Sequence, residues 1–295
     1  MLAQLAQLVL AGLTVGSGYA LVALGIHIIL RATRVINFAQ GEFVILGGLL
    51  AYTFVTALHL SVWAALVAAT LFGFSIGLLY ERVVLRPAAR AGEIAVTIAT
   101  IGTVYILLYG HALIWGSLPE PLPFFSGGAT DVSWQIFGVH IAAQQISVLI
   151  LLVLVLTLLW FFFERTTYGK AIRAAANNPI GARLVGIDVD RSRALSVAIS
   201  IALAAFAGTI IGPITLVGGA GGVAIAIKGF VGAIVGGLES PIGCVLGGLL
   251  VGVVEKLLEG QFSYEIADPV VYSLLLVMLL VRPAGLFAAR AAVRD

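Results

Sequence analysis

"VINFAQGEFVILGG", residues 35 to 48, places two amides and a carboxylate, Asn37, Gln40 and Glu42, at the head of a run that is otherwise apolar or glycine. The surrounding sequence decides how the stretch is read. The chain has 295 residues, of which 61% are hydrophobic and 10% charged, and its mean hydropathy is +1.14. That composition lies outside the range of soluble domains and identifies an integral membrane protein. A large soluble core would need charged surface, and here the charges form only short clusters between apolar runs.

Apolar runs near the roughly 20 residues needed to cross a bilayer fall at 5–30, 35–58, 61–80, 93–115, 145–163, 194–217, 240–258 and 269–281. A further short apolar piece, 223–235, contains Lys228 and lies between "GGAGG" at 218–222 and "GG" at 236–237. It reads as a broken or half-crossing helix. The fold class expected is therefore all-α: a polytopic transmembrane helix bundle of eight or nine spans, forming a single transmembrane domain over 1–295. No Lys or Arg precedes Arg31, and the first apolar run has no small-residue cleavage site, so it is expected to be a retained span.

With nine crossings, Arg31 and Arg34; Arg82, Arg86 and Arg90; Arg165, Lys170, Arg173, Arg183, Arg191 and Arg193; and Arg282, Arg290 and Arg294 all fall in alternate connections. These are 14 of the 16 Lys and Arg residues, and the connection 116–144 carries none. The positive-inside rule then predicts an outer N-terminus and a cytoplasmic C-terminus. Glycines four apart, Gly12 with Gly16 and Gly208 with Gly212 among them, predict close helix packing where lipid removes the ordinary hydrophobic drive. Cys244 reads as a small buried residue, and the scattered His27, His59, His111 and His140 read as helix-end or packing residues, not ligands.

On a helix, Asn37, Gln40, Gly41, Val44, Gly48 and Ala51 share one face that must look into the bundle, while Glu42 points about 140° from Asn37. Asn37 and Gln40 either line a polar route or tie helices together. Glu42 needs a partner, a proton or water. Lys228 is the candidate counter-ion, at a depth roughly 10 Å from Glu42 by the rise of a helix; a direct pair is one expectation to be tested.

The cytoplasmic connection 164–193 is the most basic part of the chain. Thr166 or Thr167 can cap a helix, "NNP" breaks it, Asn178 caps a second piece with Pro179 in its first turn, and Gly186 can end that piece. Asp188 or Asp190 can cap the next span. Ala171, Ile172, Ala175, Ile180, Leu184 and Ile187 form its apolar side. A capped, amphipathic elbow of this kind suits docking to a soluble partner, the alternative being a helix lying on anionic lipid.

Three stretches, "GSGYALVALGIHIILRATRVINFAQGEF", "YGKAIRAAANNPIGARLVGI" and "IKGFVGAIVGGLESPIG", resemble the membrane permease subunit of branched-chain amino acid ABC importers of the LivH type. The resemblance implies a second related permease, two cytoplasmic ATPase subunits and an extracytoplasmic solute-binding protein as partners, in a bacterial-type inner membrane. It implies that Gly169, Arg173, Asn177 and Gly186 seat or shape an ATPase contact, that 116–144 faces the binding protein, and that Lys228 belongs to a motif at the interrupted helix. Urea and short-chain amides are alternative solutes within the same resemblance.

No G-x-x-x-x-G-K-[ST] phosphate loop occurs, so the chain is expected not to hydrolyse ATP itself, and no cofactor is expected; the resemblance implies a transport subunit driven by partner ATPases. No nucleic-acid partner is expected. The rival from another class, an ion-coupled secondary carrier, explains Glu42 and Lys228 as coupling charges but leaves the elbow without a purpose.

Overall fold

The computed structural model describes residues 2–126, 132–136, 138–219, 221–262, 264–282 and 284–287. Its helices are α1 (Leu2–Thr33), α2 (Gln40–Thr56), α3 (Val62–Tyr80), α4 (Arg86–Arg90), α5 (Glu93–Trp115), α6 (Ala143–Arg165), α7 (Thr167–Asn177), α8 (Pro179–Leu184), α9 (Val189–Thr215), α10 (Gly221–Gly236), α11 (Pro241–Gln261) and α12 (Tyr264–Val281). Among the described residues, six helical segments are long and apolar enough to cross a membrane: Leu2–Thr33, Val62–Arg90, Glu93–Trp115, Ala143–Arg165, Val189–Thr215 and Pro241–Gln261. Three shorter apolar helices, Gln40–Thr56, Gly221–Gly236 and Ile266–Val281, fall within the remaining apolar runs. The all-α bundle expected from the sequence is the fold found, and the connection 116–144 adds one small antiparallel hairpin, β1 (Ser133–Ile136) with β2 (Val139–Ala142).

Local chemistry sets the boundaries. The Ser61 and Ser240 hydroxyls accept from Ala64 N and Gly243 N at the starts of α3 and α11, and Pro241 follows as the first residue of α11. Between α3 and α4 the helix widens into one π turn, Glu81–Leu85. Pro87 has no N–H to give the carbonyl four residues back, and a wider turn accommodates its ring. Asn37 lies outside α2, in the turn before it, where its Oδ1 accepts from Ala39 N at 3.2 Å. The helix face drawn from the sequence is nevertheless buried from Gln40 to Ala51.

α1 is the centre of the bundle, buried from Gly12 to Ile29 apart from Leu13. The expected glycine pairs meet one another across it. A Cβ on Gly12 would lie 2.5 Å from Val253 Cα, and one on Gly16 would lie 2.9 Å from Leu249 O, while Gly248 and Gly252 abut the backbone of α1 at Ala20 and Gly16. Gly208 of α9 rests on Val44 of α2, and Gly212 on Val217. Such approaches leave no room for a side chain and gain backbone dispersion contacts in return.

The connections sort by charge. Arg34 donates to Ala176 O (3.1 Å), and Arg86 pairs with Asp190 (2.9 Å), which joins the basic connections on one side. His27 near the end of α1 meets Leu238 O (2.7 Å), and the chain after α12 bonds α10 through Leu286 N to Val235 O (2.8 Å). On the other side Glu120 and Val217 form a β-bridge, and Gln7 of α1 brackets the backbone of His140 in the hairpin.

Every described helical glycine faces a neighbouring atom except Gly102 and Gly110 of α5, which have nothing within 4 Å of a Cβ. Gly12→Leu should therefore destabilise the fold by about 3 kcal/mol, whereas Gly102→Leu should leave the isolated chain within about 0.5 kcal/mol of wild type. Unfolding of the detergent-solubilised protein in denaturant separates the two.

Candidate functional site

Four polar clusters lie inside the bundle or at its basic end. The first is built by Asn37 and Gln40. Gln40 donates to Ser200 O (3.1 Å) and accepts from Ser200 Oγ (3.2 Å), and Ser200 Oγ also donates to Gly25 O (2.8 Å). Asn37 donates to Gln40 Oε1 (3.4 Å) and accepts from Tyr80 OH (3.4 Å). These bonds tie α2 to α9, α1 and α3.

Glu42 stands apart from them. It is 1% exposed, it projects towards α5 and α10, and its carboxyl fills the space a side chain at Gly222 would need. Neither carboxylate oxygen has a hydrogen-bond partner among the described residues. Facing it is His111 of α5, 4% exposed, with Nδ1 3.6 Å from Oε2 and neither ring nitrogen hydrogen-bonded. That distance is beyond a hydrogen bond, so two strongly polar groups sit together with unspent bonding capacity, a costly state inside a bundle and one usually tied to function. His111, read from the sequence as a helix-end or packing residue, is buried near the end of α5 and lies against Glu42. The two positions are far apart in sequence, and no local signal joins them.

The direct Glu42–Lys228 pair does not form. Lys228 Nζ lies 3.0 Å from Glu255 and 2.7 Å from Asp268, and 6.0 Å above the Tyr19 ring. These carboxylates come from α11 and α12, which also hold α10 in place. Lys228 points into the α11–α12 side of the bundle while Glu42 points at α5, so the depth estimate was compatible with a pair but the direction of the side chains was not.

The elbow forms as its caps predict. Thr166 Oγ1 accepts from Gly169 N (3.0 Å), Asn178 Oδ1 from Gly181 N (2.9 Å), and Asp188 Oδ1 from Arg191 N (3.0 Å). Gly186, at φ +81°, completes a C-terminal cap in which Ile187 N donates to Ala182 O (2.9 Å) and Gly186 N to Arg183 O (3.1 Å). α7 buries Gly169, Ile172 and Ala175. Gly169 lies against the backbone of Phe162 and Phe163, so its place is in the fold-back of α7 on α6. Arg173 pairs with Glu164, and Asn177 and Gly186 are exposed. α8 leaves Ile180, Leu184 and Val185 bare, Leu184 at 84% exposure.

The fourth cluster gave no sequence signal. Glu81, in the π turn and 2% exposed, accepts from Arg193 Nε (3.0 Å) and Nη2 (2.8 Å), and Arg86 lies 3.8 Å away. Arg86 also pairs with Asp190, so the start of α9, immediately after the elbow, is fastened to the end of α3.

The sequence matches, over residues 8–281, the family described as branched-chain amino acid transport system / permease component. The chain belongs to this family. It is 32% identical over 289 residues to the high-affinity branched-chain amino acid transport system permease protein LivH of Salmonella typhimurium, covering 93% of this chain and 92% of that one. Identity to the permease protein BraD of Pseudomonas aeruginosa is 33% over 294 residues, covering 95% and 94%. The permease protein LivM of Escherichia coli is 27% identical, covering 91% of this chain and 67% of LivM. Among solved structures, PsaBC from Streptococcus pneumoniae in complex with Fab shares the fold at a TM-score of 0.51 and 13% identity, over 96% of this chain and 97% of that one. The permease is thus a multi-pass inner-membrane transport subunit with a helical core.

Arg193→Gln removes both guanidinium donors from the buried Glu81 Oε1 and should cost about 3 kcal/mol. Glu81→Gln combined with Arg193→Gln should recover most of that loss, as a double-mutant cycle in denaturant will read.

Proposed function

We propose that this chain is a permease subunit of an ATP-driven importer of branched-chain, aliphatic amino acids. It would work with a second related permease, two cytoplasmic ATPase subunits and an extracytoplasmic solute-binding protein. The observation that carries the reading is the elbow: two N-caps and a C-terminal glycine hold α7–α8 in one shape, and its outer face presents Ile180, Leu184 and Val185 amid cations. A rigid apolar knob on the basic side is what a soluble motor can push. The substrate class rests on the transport named for the LivH and BraD relatives.

The orientation has the N-terminus outside and the C-terminus cytoplasmic, with nine crossings, of which α2, α10 and α12 are the shorter ones. Its support is that the connections rich in Lys and Arg contact one another, and that His27 meets the end of α10 and the chain after α12 meets it too. The connection 116–144 then faces the binding protein. The second permease packs on the outer face of α5, where Gly102 and Gly110 lack the neighbour that every other described helical glycine has.

Alternating access follows from that arrangement. Motion of α8 passes through α7 to α6 at Gly169, and through Asp188 and the Glu81–Arg193 pair to α9 and α3. Glu42 and His111 form the polar group of the route, between α2 and the α5 that carries the partner subunit. Asn37, Gln40 and Lys228 brace the helices around it.

Leu184→Asp should reduce ATP-dependent uptake to background at normal membrane abundance, because it removes the knob without touching the bundle. Glu42→Ala should lower uptake by about tenfold, equivalent to ~1.4 kcal/mol in the transport barrier. Both are read in vesicles holding the reconstituted complex, supplied with leucine, valine, urea and acetamide in parallel. Uptake that needs neither ATP nor a binding protein would overturn the reading in favour of an ion-coupled carrier, and uptake of urea or acetamide alone would reassign the solute.

A further inference from the structure

A cleft of about 820 Å³ opens at the basic end of the bundle between α1, α6, α7 and α11. α6 causes it. That helix buries Gln144, Val148, Leu151 and Leu152, but none of its residues after Leu152 is fully buried, so its second half stands away from α1 and α11. α7 folds back beneath the gap through the Gly169 contact and closes its basic end. The walls are apolar: Leu24 and Ile28 from α1, Leu156 and Trp160 from α6, Val245 and Leu249 from α11.

Both the position and the chemistry restrict what can fill this space. Its sides lie within the apolar lengths of three spanning helices, where water is a poor occupant and an unfilled gap forfeits dispersion contacts. It is about five times the ~150 Å³ that holds a benzene ring in an apolar cavity, which gives it the capacity for the tails of a phospholipid. Its basic end is polar. Arg31 is exposed there and makes no hydrogen bond or ion pair among the described residues. Arg173 lines the same end, shared with Glu164, and Asn177 lies beside them. Two guanidiniums against one carboxylate leave a net positive charge at the level of the lipid headgroups.

We propose that this cleft is a binding site for an anionic phospholipid of the leaflet on the basic side, with its tails between α6 and α11 and its phosphate on Arg31. Basic pockets between spanning helices on that side suit such headgroups. The lipid would complete the wall that α6 leaves open and would bear on the underside of α7, so that the elbow is sprung against lipid as well as protein. The site goes beyond transport: it depends on the chain being a membrane bundle and not on which solute it carries.

The test is native mass spectrometry of the full chain, delipidated in detergent and titrated with phosphatidylglycerol, phosphatidylcholine of the same acyl chains, or glycerol 3-phosphate. One phosphatidylglycerol retained per chain is expected, with phosphatidylcholine and glycerol 3-phosphate each bound more weakly. Arg31→Gln, at an exposed position that does not threaten folding, should weaken phosphatidylglycerol about fivefold, and Leu156→Trp should weaken it by filling the cleft. Equal retention of the two phospholipids, or an Arg31→Gln chain that binds as wild type, would overturn the proposal. Cross-linking from Leu246→Cys to a co-purified permease would do so as well, by assigning the cleft to a protein helix.

Discussion

The backbone-to-backbone crossing of α1 and α11 is the constraint on which the other contacts depend. Gly12 and Gly16 on one helix meet Gly248 and Gly252 on the other, and a methyl group at any of the four would collide with main-chain atoms that cannot swing away. In lipid the apolar side chains gain little by leaving one hydrocarbon environment for another, so close van der Waals contact has to supply the association. Once α1 is seated this way, α10 docks on α11 through Gly232 and Gly247, and α2 docks on α9 through Gly47 and Gly208.

That tight interior dictates how polar groups are handled. The Gln40–Ser200–Gly25 bonds and the Lys228–Glu255–Asp268 pairs cross between helices, and each partner is supplied by a different span. Such links fix rotation and register between helices whose apolar surfaces would otherwise slide. Glu42 and His111 differ because their polar atoms approach without bonding. The contrast within one bundle is what separates a bracing group from a functional candidate. α5 buries only Val96, Thr100, Thr103 and His111, and its Trp115 Nε1 donates to Thr53 Oγ1 of α2 at 2.7 Å.

At the basic end, packing turns into leverage. α7 is locked to α6 by the absence of a side chain at Gly169, α9 begins at the Asp188 cap, and Arg193 and Arg86 bind that beginning to the π turn after α3. α8 touches little and exposes its apolar residues. This short exposed element therefore sits next to contacts that join α6, α9 and α3, and the cleft lies beside it between α6 and α11.

The sequence by itself determined the membrane-helix class, the placement of the apolar segments to within a few residues, the pairs of small residues and the caps of the elbow. Those features are local or periodic: a cap at Thr166, Asn178 or Asp188 reaches an amide three residues on, and glycines four apart fall on one helix face. Only the tertiary structure decided which residue each buried charge meets. Lys228 chose Glu255 and Asp268 over Glu42, Glu42 faced His111, and Glu81 found Arg193, all across different helices. Depth along a helix can be counted from a sequence, but the rotation of one helix about its axis relative to another is set by packing, and that rotation fixes the direction of every buried side chain.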